Sequence, residues 1–139
     1  MINWIRNIFK KKPEEKAQPR MYLILREDLA YKYIQGAHAL SQYALEHPEP
    51  FKEWGNRYLI CLAVFNGLAL KELAGQFSEA QQNYYADGMT DPFSMNSVFS
   101  VFIEPDLESR LPTALCYFDD DANPSPFSEL TENLKLATK

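Results

Sequence analysis

Gln35 and His38 stand one helical turn apart, just after a charged corner, Arg26-Glu27-Asp28, that closes an apolar run. A strand feeding a helix through a polar turn is where α/β proteins gather chemistry. Side chains and backbone N–H groups at the strand's carboxyl end face one crevice there. A second candidate group is Glu104 and Asp106, separated by Pro105. Two carboxylates at that spacing suit acid–base work, although a proline between acids is also ordinary turn chemistry. The first group has a structural reading too: Gln35 and His38 hydrogen-bond the corner and orient the helix, while Arg26 pairs with Asp28 and Asp28 caps the helix start. Tyr31, Tyr33, Tyr84 and Tyr85 could stack on bases, or sit half-buried with their hydroxyls outward. The run Asp119 to Asp121 has no ligand spacing and reads as a solvated acidic tail. No phosphate-binding glycine loop, paired CxxC motif or nucleophile elbow is present.

The elements that must hold these groups follow from the apolar pattern. Met21 to Arg26 is continuously apolar, as a central strand covered on both faces would be. In the following helix Ile34, Ala37, Ser41, Ala44 and Leu45 form the expected core-facing stripe, with Gly36 and Ala37 allowing close approach to the sheet. Gln35, His38 and Gln42 form a separate polar stripe, and the helix is expected to stop near His47 because Pro48 and Pro50 follow. Phe51 to Asn56 reads as a turn with an exposed Trp54. Arg57 to Val64 is a second strand, parallel to the first through a β-α-β crossover. Asn66-Gly67 is a turn signal, and Leu68 to Ala80 a helix with Leu70, Leu73, Ala74 and Phe77 inward. Gln81 to Asn96, with Asp87-Gly88 and Asp91-Pro92, reads as a long aromatic loop. Val98 to Ile103 and Thr113 to Phe118 are strands three and four. Ser128 is placed to cap a short last helix, Glu129 to Leu136.

The chain has 139 residues, 46% of them hydrophobic and 14% aromatic, which suits one globular domain. The expected organisation is a basic, partly apolar leader at 1–20, a domain at 21–118 with a long loop at 81–97, and an acidic, proline-bearing tail at 119–139. In the leader Ile2, Ile5, Ile8 and Phe9 recur at helical spacing beside Arg6 and Lys10 to Lys12. That pattern is either a membrane-surface helix or a loosely ordered end. It is too short for a membrane span and lacks a signal-peptide cleavage site. A formal charge of −5 gives no global attraction to DNA or anionic membrane, so any RNA partner must meet a local basic patch. Cys61 and Cys116 lie in apolar runs and read as buried and reduced, which suits a cytoplasmic protein.

Taken together, Arg26-x-Asp28-Leu29, Gln35-x-x-His38-Ala39, Glu104-Pro105-Asp106-Leu107 and Leu111-x-Thr113-Ala114 resemble the type II peptidyl-tRNA hydrolase superfamily. The resemblance covers roughly Met21 to Phe118 and is closest to small hydrolase-like proteins of bacteria and their phages. It implies a single-domain α/β three-layer sandwich: a four-stranded mixed sheet, helices on both faces, and the first corner beside the loop before strand four. It also implies hydrolysis of the ester of peptidyl-tRNA or a related aminoacyl or nucleotide ester, with no cofactor or metal. Lys32, His38, Asp106 and Thr113 are then the catalytic candidates, with Arg26, Tyr31, Gln35 and Glu104 binding substrate. In this scheme Asp106 positions water, His38 shuttles a proton, and Lys32 holds a phosphate or oxyanion. The acidic charge, the lysine spacing and the long loop motivate an alternative. The same crevice would then hold a nucleotide-type small ligand or a protein partner without turnover. The exposed aromatics and the apolar leader also raise the expectation of a homodimer.

Overall fold

A computed structural model of the chain describes residues 18–86, 97–107, 109–122 and 124–138. The leader up to 17 and the turn dipeptides within 87–96 therefore lie outside the described residues. The chain forms β1 (Arg20–Arg26), α1 (Lys32–Glu46), α2 (Pro48–Trp54), β2 (Tyr58–Val64), α3 (Gly67–Ala86), β3 (Phe99–Phe102), β4 (Ala114–Asp119), α4 (Ser128–Thr131) and β5 (Lys135–Leu136). One mixed sheet runs β3-β4-β1-β2-β5. The parallel pair is β1 with β2, and β4 lies antiparallel to both β1 and β3. The protein is α/β with five strands, one more than the sequence suggests. The additional strand, β5, has only two residues, both exposed, and is too short for its pattern to betray it.

The continuous apolar run of β1 serves both faces of the sheet. Met21, Leu23 and Leu25 pack with Ala39, Tyr43 and Trp54 of α1 and α2. Ile24, on the other face, packs with Leu62, Val64, Leu70, Leu73 and Phe77. The period of two in a strand thus feeds two separate cores. Phe127 belongs to the second core: it is fully buried and stacks on Phe77 at 4.5 Å. The stretch expected to be a tail is in this way folded into the domain. Its acidic start is not uniformly solvated either. Asp119 is buried in β4, and its Oδ1 accepts the backbone N–H groups of Asp120 at 3.0 Å and Ser125 at 2.8 Å. Burial pushes that carboxyl up, against the lowering effect of the two N–H donors. Asp121 pairs with Arg20.

Three local expectations are corrected. On α1 the buried positions are Lys32, Gly36, Ala39 and Tyr43, while Ile34 and Leu45 are 53% and 85% exposed. Gly36 meets the sheet as expected, but the rest of the inward face is Lys32, Ala39 and Tyr43 in place of the Ile34 to Leu45 stripe. Gln42 Nε2 donates to Val101 O at 3.0 Å, and His47 Nε2 lies 3.2 Å from Phe99 O, so the outer edge of β3 is covered by side chains from the end of α1. Next, 48–54 is helical rather than a turn, because the first-turn N–H groups that Pro48 and Pro50 lack have no helical partner anyway. Trp54 is buried and its Nε1 donates to Tyr58 O at 2.8 Å. Finally, α3 continues to Ala86 through residues expected to be loop, with Gln81 Nε2 donating to Ser97 O at 2.7 Å. Among the described residues no helix is long and apolar enough to cross a membrane.

Candidate functional site

Arg26 ends β1 with its side chain buried. Its Nε donates to Asp28 Oδ1 at 3.0 Å and its Nη2 to Oδ2 at 2.8 Å, a two-pronged pair across the corner. This bond holds the Asp28 carboxyl below its ordinary range. Asp28 is thereby Arg26's partner and not the helix cap, since α1 begins after Tyr31 with no side-chain cap bond. Nη1 of Arg26 reaches Pro112 O at 3.3 Å and so ties the corner to the loop preceding β4. The guanidinium lies on Gly67, the first residue of α3. A Cβ there would stand 2.8 Å from Nη1 and 2.9 Å from Cζ.

Gln35 extends from the first turns of α1 toward the same loop. Its Nε2 donates to Glu104 Oε2 at 3.4 Å, and its Oε1 accepts from the Thr113 hydroxyl at 2.9 Å. That hydroxyl is also 3.1 Å from Phe102 O, so one proton is shared between two acceptors. Thr113 is fully buried and donates its backbone N–H to Phe102 O at 2.8 Å. The fold thus joins Gln35, Glu104 and Thr113 in one hydrogen-bonded chain, with Arg26 tethered to the same loop at Pro112.

The other candidates have different neighbours. Lys32 is buried, with Nζ 3.3 Å from Glu27 Oε2 and 5.5 Å from the centre of the Tyr33 ring. His38 stacks on Phe102 at 4.8 Å with the rings 11° apart. Asp106 is exposed in a turn closed by Leu107 N–H to Glu104 O at 3.2 Å, and Tyr31 is exposed. Sequence reading passed over Glu27 and Gly67. Glu27 keeps the strand parity of Met21, Leu23 and Leu25, which sets it on the α1 face, and that parity was the available signal. Gly67 was read only as half of a turn dipeptide.

The carboxyl ends of β1, β2 and β3 share one end of the sheet, which also carries exposed apolar groups. Phe65 and Leu68 follow β2, Ile103 follows β3, and Tyr31 and Ile34 flank the start of α1. A concavity of about 400 Å³ lies at the opposite end, lined by Glu46, His47, Pro50, Tyr85 and Val98 among others, and contains none of the catalytic or substrate-binding candidates, though it includes one of the four tyrosines considered for stacking. Among the described residues no group of three or more His, Cys, Asp or Glu is placed to hold a metal ion.

No family model and no curated protein matches the chain. Among solved structures, a protein of unknown function from Agrobacterium tumefaciens strain C58 is similar at 15% identity and a TM-score of 0.49, covering 87% of this chain and 98% of its own.

Proposed function

We propose that this chain has a type II peptidyl-tRNA hydrolase-like fold. We further propose that it acts on the ester of peptidyl-tRNA, or a related aminoacyl or nucleotide ester, between the β1 corner and the 104–113 loop. The observation that carries the reading is the meeting of Gln35, Glu104 and Thr113, drawn from segments 69 and 78 residues apart. Glu104, half-buried and hydrogen-bonded to the Gln35 amide, is the carboxylate that orients the attacking water. The half-buried Gln35 carries a second amide N–H for a ribose hydroxyl or ester carbonyl, and the buried Thr113 hydroxyl holds that amide in place. The exposed apolar groups at this end of the sheet receive the terminal base or the peptide side chains. Release of peptide from peptidyl-tRNA tests the reading. Turnover is expected, with Glu104→Gln and Thr113→Val each reducing it by about 10²-fold or more at unchanged fold. No turnover at high enzyme, or turnover indifferent to both substitutions, refutes it.

One observation favours a second reading. Arg26 is committed to Asp28 and Lys32 to Glu27, so the two cations that flank the β1 corner already have carboxylate partners. A crevice of that kind suits a binding protein for a nucleotide-type ligand or a protein partner. A copurified ligand, or a thermal shift within a nucleotide panel, combined with no ester turnover, would select this reading. Silence in both binding assays removes its small-ligand form.

A further inference from the structure

Residues 134–138 lie on the outer edge of β2 as an added strand. Leu136 stands opposite Leu62 and Lys135 opposite Ala63, and Ala137 donates its N–H to Cys61 O at 2.9 Å. The ladder is narrow and the side chains of Lys135 and Leu136 are exposed. The end of this segment is gripped more specifically than its ladder. Glu27 accepts the Thr138 N–H on Oε1 at 2.9 Å and the Thr138 hydroxyl on Oε2 at 2.6 Å. Tyr33 donates its hydroxyl to Thr138 O at 2.7 Å. One carboxylate and one phenol therefore read the amide, the hydroxyl and the carbonyl of a single residue. Lys32, 3.3 Å from Oε2, steadies the carboxylate.

A strand held by so few pairs opens at a small fraction of the global unfolding free energy. Opening leaves the outer edge of β2 unpaired, and such an edge recruits another extended segment through main-chain hydrogen bonds. We propose that the β2 edge, with Glu27 and Tyr33 at its end, is a docking site for an extended peptide of a partner protein. The peptide carries a small residue followed by threonine or serine, and residues 134–138 occupy the site in cis when the partner is absent. The occupant in place defines that chemistry. Ala137, a small apolar residue, packs against the α1-side core. Loss of the hydroxyl would remove one donor from a carboxylate that accepts two bonds from this residue. The exposed Lys135 and Leu136 side chains leave those positions permissive. Because the cis segment competes at millimolar effective concentration, the unaltered chain shows the partner only a fraction of its intrinsic affinity.

A fluorescent peptide of sequence Leu-Lys-Leu-Ala-Thr, titrated by anisotropy against the full chain, tests the proposal. Ala137→Pro removes the N–H that bonds Cys61 O and loosens the cis strand, while Glu27, Tyr33 and the β2 edge stay intact. The peptide is expected to bind this variant at least about tenfold tighter than the unaltered chain. Alanine in place of the peptide threonine, or Glu27→Gln added to Ala137→Pro, is expected to weaken binding about tenfold. Thr138→Val in the full chain is a second way to loosen the strand and must also tighten peptide binding. No binding to either variant at millimolar peptide overturns the proposal, as does equal binding of the alanine peptide. A dimer of the unaltered chain that Ala137→Pro dissociates would assign the edge to exchange between copies and likewise overturn it.

Discussion

Gly67→Ala tests whether the Arg26 bridge is a fixed part of the crevice. Gly67 has no unusual φ, so the substitution strains no backbone, and its effect must come from space. The new methyl would stand 2.8 Å from Arg26 Nη1, 2.9 Å from Arg26 Cζ and 2.9 Å from Leu111 Cδ1. Comfortable contact needs about 3.5–4.0 Å, so the guanidinium must retreat by most of an ångström. Its bond to Pro112 O, already 3.3 Å, is the one that breaks, because the Asp28 pair sits on the other nitrogens. Losing a hydrogen bond from a charged donor costs about 1.5–3 kcal/mol. A helix-end position recovers little through propensity. Gly75, mid-helix on the same α3, is the internal control: a Cβ there meets nothing within 4 Å. Gly75→Ala is therefore expected to stabilise by up to about 1 kcal/mol. Urea unfolding should place the two variants on opposite sides of the unaltered chain, about 2–4 kcal/mol apart. Equal stability of the two would refute the claim that Arg26 is pinned between Asp28 and Pro112.

Three further outcomes are expected. Phe127→Ala should cost about 3–5 kcal/mol, because a fully buried ring that stacks on Phe77 is removed from the second core; a loss under about 1 kcal/mol would mean that 119–138 is an appendage. Glu27 is held below its ordinary carboxyl range first by its side-chain bond to Thr138, then by the Thr138 N–H and Lys32. A lowered folded value means the contribution is present above the unfolded value and lost as pH falls through the folded one. The Thr138 amide should therefore keep its position in NMR spectra at neutral pH and move only as pH falls below the ordinary glutamate range; movement near pH 7 would contradict the assigned bond. Burial raises the thiol of the half-buried Cys61 and raises that of the fully buried Cys116 much further. At pH 8 a thiol reagent should react slowly with Cys61 and reach Cys116 only on unfolding, so two rapid equivalents from native protein would be incompatible with this packing.

The strands were legible because burial on both faces writes itself as an unbroken apolar run, as in β1. β5 was not, since Lys135 and Leu136 stay exposed and their pairing is set by Leu134 and Ala137 packing on either core. The end of α3 was hidden by residue type. Gln81 and Tyr85 continue the helical phase of Phe77, but they face a polar target, the Ser97 carbonyl and hydroxyl. In the crevice, the nearness of the corner and the 104–113 loop was expected and is present in the Arg26 to Pro112 bond. The sequence could not show that Lys32 would turn to Glu27, because that choice depends on a carboxylate also fixed by Thr138, over a hundred positions away.

The unexpected inward face of α1 explains both the largest misreading and the site itself. Turning the helix to bury Ile34 and Leu45 would gain about 1.5–3 kcal/mol for each side chain. The same turn would strip Gln42 from Val101 O and Gln35 from Thr113, and take His47 away from Phe99 O. Each polar group left unpaired there costs about 1–3 kcal/mol, so these terms nearly cancel. Close approach decides between the two faces. Gly36 lies so near β1 that a Cβ would stand 2.8 Å from Leu25 Cδ2 and 3.3 Å from Leu23 Cδ1. Gly36 is the one glycine of this helix, and the rotation that seats it on β1 is the one that also carries Ala39 and Tyr43 to the sheet. Gln35, adjacent to Gly36, is carried into the crevice by that same seating. Its contact with Thr113 and Glu104 is thus a consequence of helix packing, and a larger residue at 36 should displace the amide as well as the helix.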